Sequence, residues 1–422
     1  MEVPPPESLS SSSGVGGEAI ERASSNALAS SADAARSRLV PLWIALIVLG
    51  IIIRVLLAVV SVGTDDAVTW MRFGDEIRQH GLLQTYVLDH EFNHPAIGGY
   101  WAALCATVAG GHANARHDSI FTIVFKIAPI LGDCLGIWLL YRIWLPLRGR
   151  AFALLIAAMF SLSLNAIVVS GFHCNTDSLL IALAMLALYF VQSKPRPMLA
   201  GLALAAAINV KLIPVLLIPV LLLQMRSWKA AGLFLCGLGV GVLPFLPALL
   251  RVRGAFVSNV MQYNSMIDRW GVNYFLLAGE DRWNPMHDSA QSSLAYHAQA
   301  RYAIFTLVAV WAIVGRLWRR WTCYELALVA FALFLIIAPG FGVQYTLLVG
   351  LPLFAVRPQW AVAYALLAGV FVGSMYFEYW NGKFPMYANW EILMPDRVAT
   401  IGLVTWLTLI AIMLGVVFKP SK

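Results

Sequence analysis

"VPLWIALIVLGIIIRVLLAVVSVGTDDAVTWMRFGDE" (Val40–Glu76) runs from an unbroken apolar segment straight into a stretch holding four carboxylates. The apolar half is about the roughly 20 residues long that a helix needs to cross a hydrocarbon core. The polar half sets Asp65 and Asp66 side by side where that segment reaches the membrane surface. A neutral turn would have served there, so the adjacent acids ask for a reason.

The pattern of the Val40 segment recurs along the chain. Sixty per cent of the residues are hydrophobic and 12% are charged. Further apolar runs lie at about 119–141, 151–170, 177–192, 198–209, 212–225, 230–250, 300–316, 322–339, 343–357, 360–378 and 398–418. They predict an all-α, polytopic membrane protein of about 12 transmembrane helices. A helix satisfies its own backbone in lipid and an open sheet edge does not. The runs are continuous instead of alternating, which excludes a β-barrel.

The net charge of +7 comes from short Lys and Arg clusters between the apolar runs. Such spacing is a topology signal, and it speaks against a nucleic-acid partner. The five cysteines are scattered and form neither a disulfide framework nor a zinc spacing. Residues 1–38 are rich in Ser, Ala, Gly and Pro, with no basic and apolar signal pattern, and read as a disordered cytoplasmic tail.

"HPAIGGYWAALCATVAGG" (His94–Gly111) is apolar but short for a span. Leaving it on the external side places the clusters around Arg148, Lys194, Arg226, Arg319 and Arg357 in the cytoplasm. Both termini are then cytoplasmic, and nearly every acid beyond the tail is external. The chain divides accordingly into the tail, a catalytic transmembrane module with the first external loop (39–250), a large external loop (251–299) and C-terminal transmembrane helices (300–422). Within the first loop, Trp70, Phe73 and Ile77 share one helical face and Arg72, Asp75, Glu76 and Gln79 largely another, which suits interfacial helices.

Several polar residues stand out against this background. Thr64 can cap the helix that Asp65 and Asp66 begin, and acids in a first turn meet the helix dipole. Capping accounts for one acid; two adjacent carboxylates repel, and paired acids tend to mark catalytic sites. "SGFHCNTDSLL" (Ser170–Leu180) offers His173, Asn175, Thr176 and Asp177 in an external turn, where capping is again the plain alternative. "AAINVKLIPVLLIP" holds Lys211 between two apolar segments too short to cross, and a membrane-embedded lysine is a functional candidate unless it snorkels to the surface. Arg54, Lys126, Asp133 and Glu325 also sit within apolar runs, where pairing across helices competes with function.

In this order the motifs resemble the integral-membrane glycosyltransferases of the GT-C fold, which take sugars from polyprenyl-phosphate carriers. The resemblance covers about residues 40–350. It rests on "GTDDAVTW", an interfacial helix, "FNHPAIGGYW", "SGFHCNTDSLLIAL", "INVKLIPVLLIPVLL" and "GFGVQYTLLVGLPLF". The sequence is most similar to the dolichol-phosphate-mannose-using GPI mannosyltransferase I group and its bacterial relatives, with D-x-D there where adjacent Asp65 and Asp66 stand here. "YNSMIDRWGVNYFLL" (Tyr263–Leu277) occupies the place of that group's Arg/Asn/aromatic motif. "FNHPAIGGYW" and "NTDSLLIAL" are equally similar to the lipid A aminoarabinose transferases.

The resemblance implies inverting transfer of a mannose-like hexose to an external glycan, lipid or protein hydroxyl, in a plasma or inner membrane or, in a eukaryote, an ER-like one. The catalytic candidates are Asp65, as the group beside the acceptor, with Asp66 and Asp177. The substrate-binding candidates are Asn93, His94, His173, Asn175, Lys211, Arg269 and Tyr345. Positive charge for the departing phosphate would come from Lys211, a nearby arginine, or a divalent metal such as Mg or Mn held by Asp66 and Asp177. A secondary transporter of a small polar solute is the alternative; it should show two related halves, and none is seen.

Overall fold

A computed structural model describes residues 39–110, 115–263, 265–280, 282, 284, 286–379 and 393–418. The tail expected at 1–38 lies outside them. The protein is all-helical. Six helical stretches are long and apolar enough to cross a membrane: Val40–Val60, Ser119–Ser161, Trp228–Arg251, Asp288–Leu317, Pro358–Glu378 and Asp396–Val417. Shorter apolar helices make up the rest, namely Ala96–Ala109, Leu164–His173, Asp177–Gln192, Pro197–Val210, Ile213–Leu223, Cys323–Ile337 and Val343–Val356.

This differs from twelve uniform spans in instructive ways. The second long stretch is two helices joined at a kink at Gly149, with φ +76° and extended ψ, between exposed Arg148 and Arg150 and in the gap expected between the 119–141 and 151–170 runs. The expected 151–170 run breaks after Ser161, and Ser163 caps a new helix at Leu164 by accepting from Ala166 N at 3.5 Å. Pro244 and Pro247 divide Trp228–Gly241 from Leu246–Arg251, since proline cannot supply the N–H that a continuous helix needs. The helix Asp288–Leu317 begins inside the segment expected as external loop.

Two cores organise these elements. The larger joins helices from residue 137 onward to the C-terminal helices. The smaller lies under the first loop, where Trp70, Phe73 and Ile77 are buried as their spacing predicts. Their partners are protein: Trp70 packs 4.9 Å from Phe125, and Gly74 crosses Ala102 so closely that a Cβ would stand 2.6 Å from its carbonyl oxygen. The helix Asp65–His80 therefore rests on Ala96–Ala109 and on the long helix beneath it.

The charges inside the long helices are structural. Arg54 Nε donates to Asp133 Oδ2 at 2.7 Å with both side chains buried, and its Nη1 donates to the carbonyls of Gly50 and Ser161 at 2.9 and 2.5 Å. Lys126 Nζ donates to Ser61 O at 2.7 Å and Ser61 Oγ at 3.0 Å, a cation set on the C-terminal end of the first span. Glu325 completes a capping box with Thr322. Replacing Arg54 alone by Met should strand the Asp133 carboxylate and cost about 3–5 kcal/mol, whereas Arg54→Met with Asp133→Leu should recover most of it. Thermal unfolding of the two variants in detergent decides this.

Candidate active site

The acid pair is aimed by the turn that precedes it. Gly63 adopts φ +123°, and a Cβ there would lie 2.7 Å from Phe172 O and 3.0 Å from Cys174 Cβ, so the turn packs directly on the 169–174 segment. Thr64 stands at the N-cap position, yet its hydroxyl does not cap the helix. It donates across to His173 O at 3.0 Å. The capping expected of Thr64 gives way to a link between the two segments that carry the site.

Asp65 and Asp66 then face a cavity of about 760 Å³, within the range of small-molecule sites. Asn93, His94, His173, Asn175, Lys211 and Tyr345 line it as well. Eight of the ten sequence candidates are thus brought together. Asp177 is fully buried behind Lys211, whose Nζ lies 3.1 and 3.2 Å from its two carboxylate oxygens. Arg269 goes elsewhere: it is buried, donates to Met394 O at 3.2 Å and pairs with Asp396, fastening the 268–273 turn to the last helix.

The two adjacent carboxylates have different surroundings. Asp66 Oδ2 accepts from Asn175 Nδ2 at 2.5 Å and meets His173 Nε2 at 2.9 Å. Burial alone would raise its pKa, but His173, Lys211 and Asn175 outweigh burial and hold the carboxyl below its ordinary range. Asp65 lacks such partners. Burial, reinforced by the neighbouring Asp66 charge and opposed by His173, pushes the Asp65 carboxyl up to about 6. One acid is a fixed anion and the other is poised near neutrality, the division of environment that separates acid–base roles.

Behind Asp66 the polar chain continues. His173 Nδ1 meets the hydroxyl of Tyr376, which comes from the late helix Pro358–Tyr379. A charged carboxylate only accepts, so His173 presents Nε2–H to Asp66 and leaves Nδ1 to the Tyr376 hydroxyl. Tyr376 was not singled out in the sequence; its only signal is a phenol in an apolar run. Arg72, Tyr263, Asp268 and Gln344 are further lining groups outside the candidate set.

The walls explain the rest of the candidate set. His94 stacks on Trp70 with ring centroids 4.1 Å apart, and its carbonyl accepts from Tyr86 Oη at 2.8 Å. Burial, with Lys211 adding and Asp66 opposing, takes its pKa down to about 3, so the ring is neutral. Its Nδ1 is buried without a protein partner. Lys211 also stands 4.7 Å over the Tyr345 ring, a cation–π contact that fixes the ammonium between Asp177 and the cavity.

The donor set does not suit the divalent ion considered for Asp66 and Asp177. Lys211 occupies both Asp177 oxygens, and Asp66 Oδ2 is taken by His173 and Asn175. Among the described residues, no group of three or more His, Cys, Asp or Glu side chains is placed to hold a metal. The positive charge at this point of the site is an ammonium.

Fold and site together define a multi-pass membrane protein with a carboxylate-bearing cavity beside a buried lysine. The model of glycosyltransferase family 87 (GT87) matches residues 123–343, a little over half of the chain. The chain belongs to this family of GT-C-type membrane glycosyltransferases. The match takes in His173, Asn175, Asp177 and Lys211, while the acid pair precedes it. No curated protein matches the chain. Family membership makes the activity glycosyl transfer and sets solute transport aside.

Gly63→Ala tests the aiming turn. Strained backbone and a 2.7 Å approach to Phe172 O must displace the acids, and misplacing a reacting group by about 1 Å can cost on the order of a hundredfold. Glycosyl transfer should fall on that scale while the melting temperature changes far less; equal losses in both would mean the turn serves folding alone.

Proposed function

We propose that this GT87 protein transfers a hexose from a polyprenyl-phosphate donor to an acceptor hydroxyl with inversion, using Asp65 as general base. The observation that carries the reading is the contrast between Asp65, pushed up to about 6, and its hydrogen-bonded neighbour Asp66. Asp65 takes the acceptor proton as the acceptor oxygen bonds to the anomeric carbon. The bond from that carbon to the phosphate oxygen breaks, and the polyprenyl phosphate leaves with the electron pair. Asp66 keeps a negative charge that favours the oxocarbenium-like transition state. Lys211, steadied by Asp177 and Tyr345, meets the charge developing on the phosphate.

The other lining groups fit sugar recognition. Asn93 and Gln344 offer amides for hydroxyls, and the exposed Tyr263 offers an aromatic ring. The Asp66–His173–Tyr376 chain fixes the imidazole tautomer, so that His173 remains a donor to Asp66. An external placement of this cavity is supported by the charge distribution, because Lys194, Arg196, Arg226, Arg319 and Arg320 gather at the opposite helix ends. A donor with a long apolar tail suits a cavity beside the short helix Ala96–Ala109, whose Ile97, Tyr100, Leu104 and Val108 are exposed.

Purified protein in liposomes should consume a polyprenyl-phosphate sugar without any gradient, and Asp65→Asn should lower turnover by roughly a hundredfold or more with folding intact. Because the base must be ionised, kcat/KM should rise with pH through about 6. Removing the neighbouring charge by Asp66→Asn should move that limb to lower pH. Unaltered turnover in Asp65→Asn would sink the assignment. Chelators should leave the wild type active, since no step uses a metal.

Tyr376→Phe tests the relay. Without the phenol, His173 Nδ1 loses its buried partner, the imidazole is no longer held against Asp66, and its lowering effect on Asp65 weakens. We expect kcat to fall about tenfold, at the low end for a positioned acid–base network. The acid limb should move above about 6, with KM nearly unchanged. A purely structural tyrosine would lower kcat without moving the limb.

A further inference from the structure

The end of the helix Asp177–Gln192 remote from the catalytic cavity carries a second, basic cavity. The helix has 16 residues and so spans about 24 Å. Beyond it, a cavity of about 220 Å³ is lined by Arg226, Arg316 and Arg320 together with Gln192, Gln224 and Thr322. The three arginines come from three separate segments, after Leu217–Leu223, at the end of Asp288–Leu317, and in the turn before Cys323–Ile337.

The lining is tied together by side-chain bonds to backbone. Arg316 Nε donates to Leu223 O at 3.0 Å, Gln224 Nε2 donates to Trp321 O at 3.1 Å, and Gln192 Oε1 accepts from Cys323 N at 3.1 Å. Trp321 folds back onto its own helix, stacked 6.0 Å from Trp311, and Gly315 makes the room, since a Cβ there would stand 2.4 Å from the Trp321 ring. This reversal holds Arg320 at φ +53°, the left-handed region where glycine is the easy residue. An arginine kept in that conformation, at the rim of a basic cavity, points to a use for its charge.

No acidic side chain is among the residues that line the cavity. Glu325 turns its Oε2 to Thr322, accepting from N at 2.9 Å and Oγ1 at 3.0 Å. Arg226 and Arg320 have no ion-pair partner among the described residues. Leu317 and Trp318, next to the cavity, are 67% and 78% exposed, as expected of side chains anchoring in a headgroup layer.

We propose that this cavity binds a phosphate group, supplied by the headgroup of an anionic membrane lipid. Planar guanidinium forks match phosphate oxygens in pairs, and basic pockets between the ends of membrane helices suit such headgroups. The site is separate from the transfer cavity and does not depend on the proposed reaction.

The test uses the full chain in nanodiscs of neutral phosphatidylcholine, with and without phosphatidylglycerol. Anionic lipid should raise the melting temperature of the wild type by about 2–4 °C. The double variant Arg226→Gln/Arg320→Gly should lose most of that rise. It should also be at least as stable as the wild type in neutral discs, because glycine relieves the left-handed backbone. Lys194→Gln/Lys229→Gln, which removes charge outside the cavity lining, should keep the rise. If inorganic phosphate in neutral discs reproduces the rise in the wild type but not in the double variant, the site stands and its phosphate is soluble. Equal rises in the wild type and the double variant, or none in either, overturn the proposal.

Discussion

The site depends on one buried ion pair, Lys211 with Asp177. A lone lysine at this depth would be costly, and a lone carboxylate equally so. Each therefore fixes the other's segment. Asp177 is the first residue of its helix, and Lys211 ends Pro197–Val210 in extended conformation before a short 3-10 turn, Ile213–Leu216. The pair joins the start of one half-length helix to the end of the next, and Tyr345 on the Val343–Val349 turn closes over the ammonium. Helices too short to cross a bilayer are stable here because their ends meet charges and protein instead of lipid.

That pair also makes the neighbouring carboxylates unequal. Lys211 supplies part of the field that keeps Asp66 ionised, with His173 and Asn175 supplying the nearer interactions. An ionised Asp66 in turn helps raise its neighbour Asp65. Side by side in sequence, the two acids are far apart in chemistry, because the helix start at Asp65 turns one toward the 173–175 segment and leaves the other to the cavity. Their adjacency, which helix capping alone explains poorly, is what couples them.

Much of this could be read from the residues. The apolar face of Trp70, Phe73 and Ile77, the broken pair around Lys211 and the polar cluster at His173–Asp177 all follow from local periodicity or from charge in an apolar context. Arg269 is less legible: an arginine in an aromatic-rich external segment reads as a ligand for substrate, and the structure sets it outside the cavity lining, against Asp396, 127 residues away in the chain. Tyr376 is not legible because its partner His173 lies 203 residues away and one phenol in an apolar span carries no local signal. The break after Ser161 is likewise hidden, since hydropathy reports how apolar a run is and not where its backbone turns, whereas the charged gap between the 119–141 and 151–170 runs marks the turn at Gly149.

The remaining intramembrane charges show why burial by itself does not mark chemistry. Arg54 and Asp133 are as deeply buried as Asp177, yet their bonds run to each other and to helix carbonyls. Lys126 is satisfied by the end of the first span, where it steadies the Ser61–Thr64 turn that launches the acid pair. Lys211 is the exception in kind: its ion pair holds it at a cavity wall with a small exposed area, 12% of the side chain, left toward the acids. A buried charge that retains such a face has been fixed in place without being used up, which is the condition a transition state with developing phosphate charge requires.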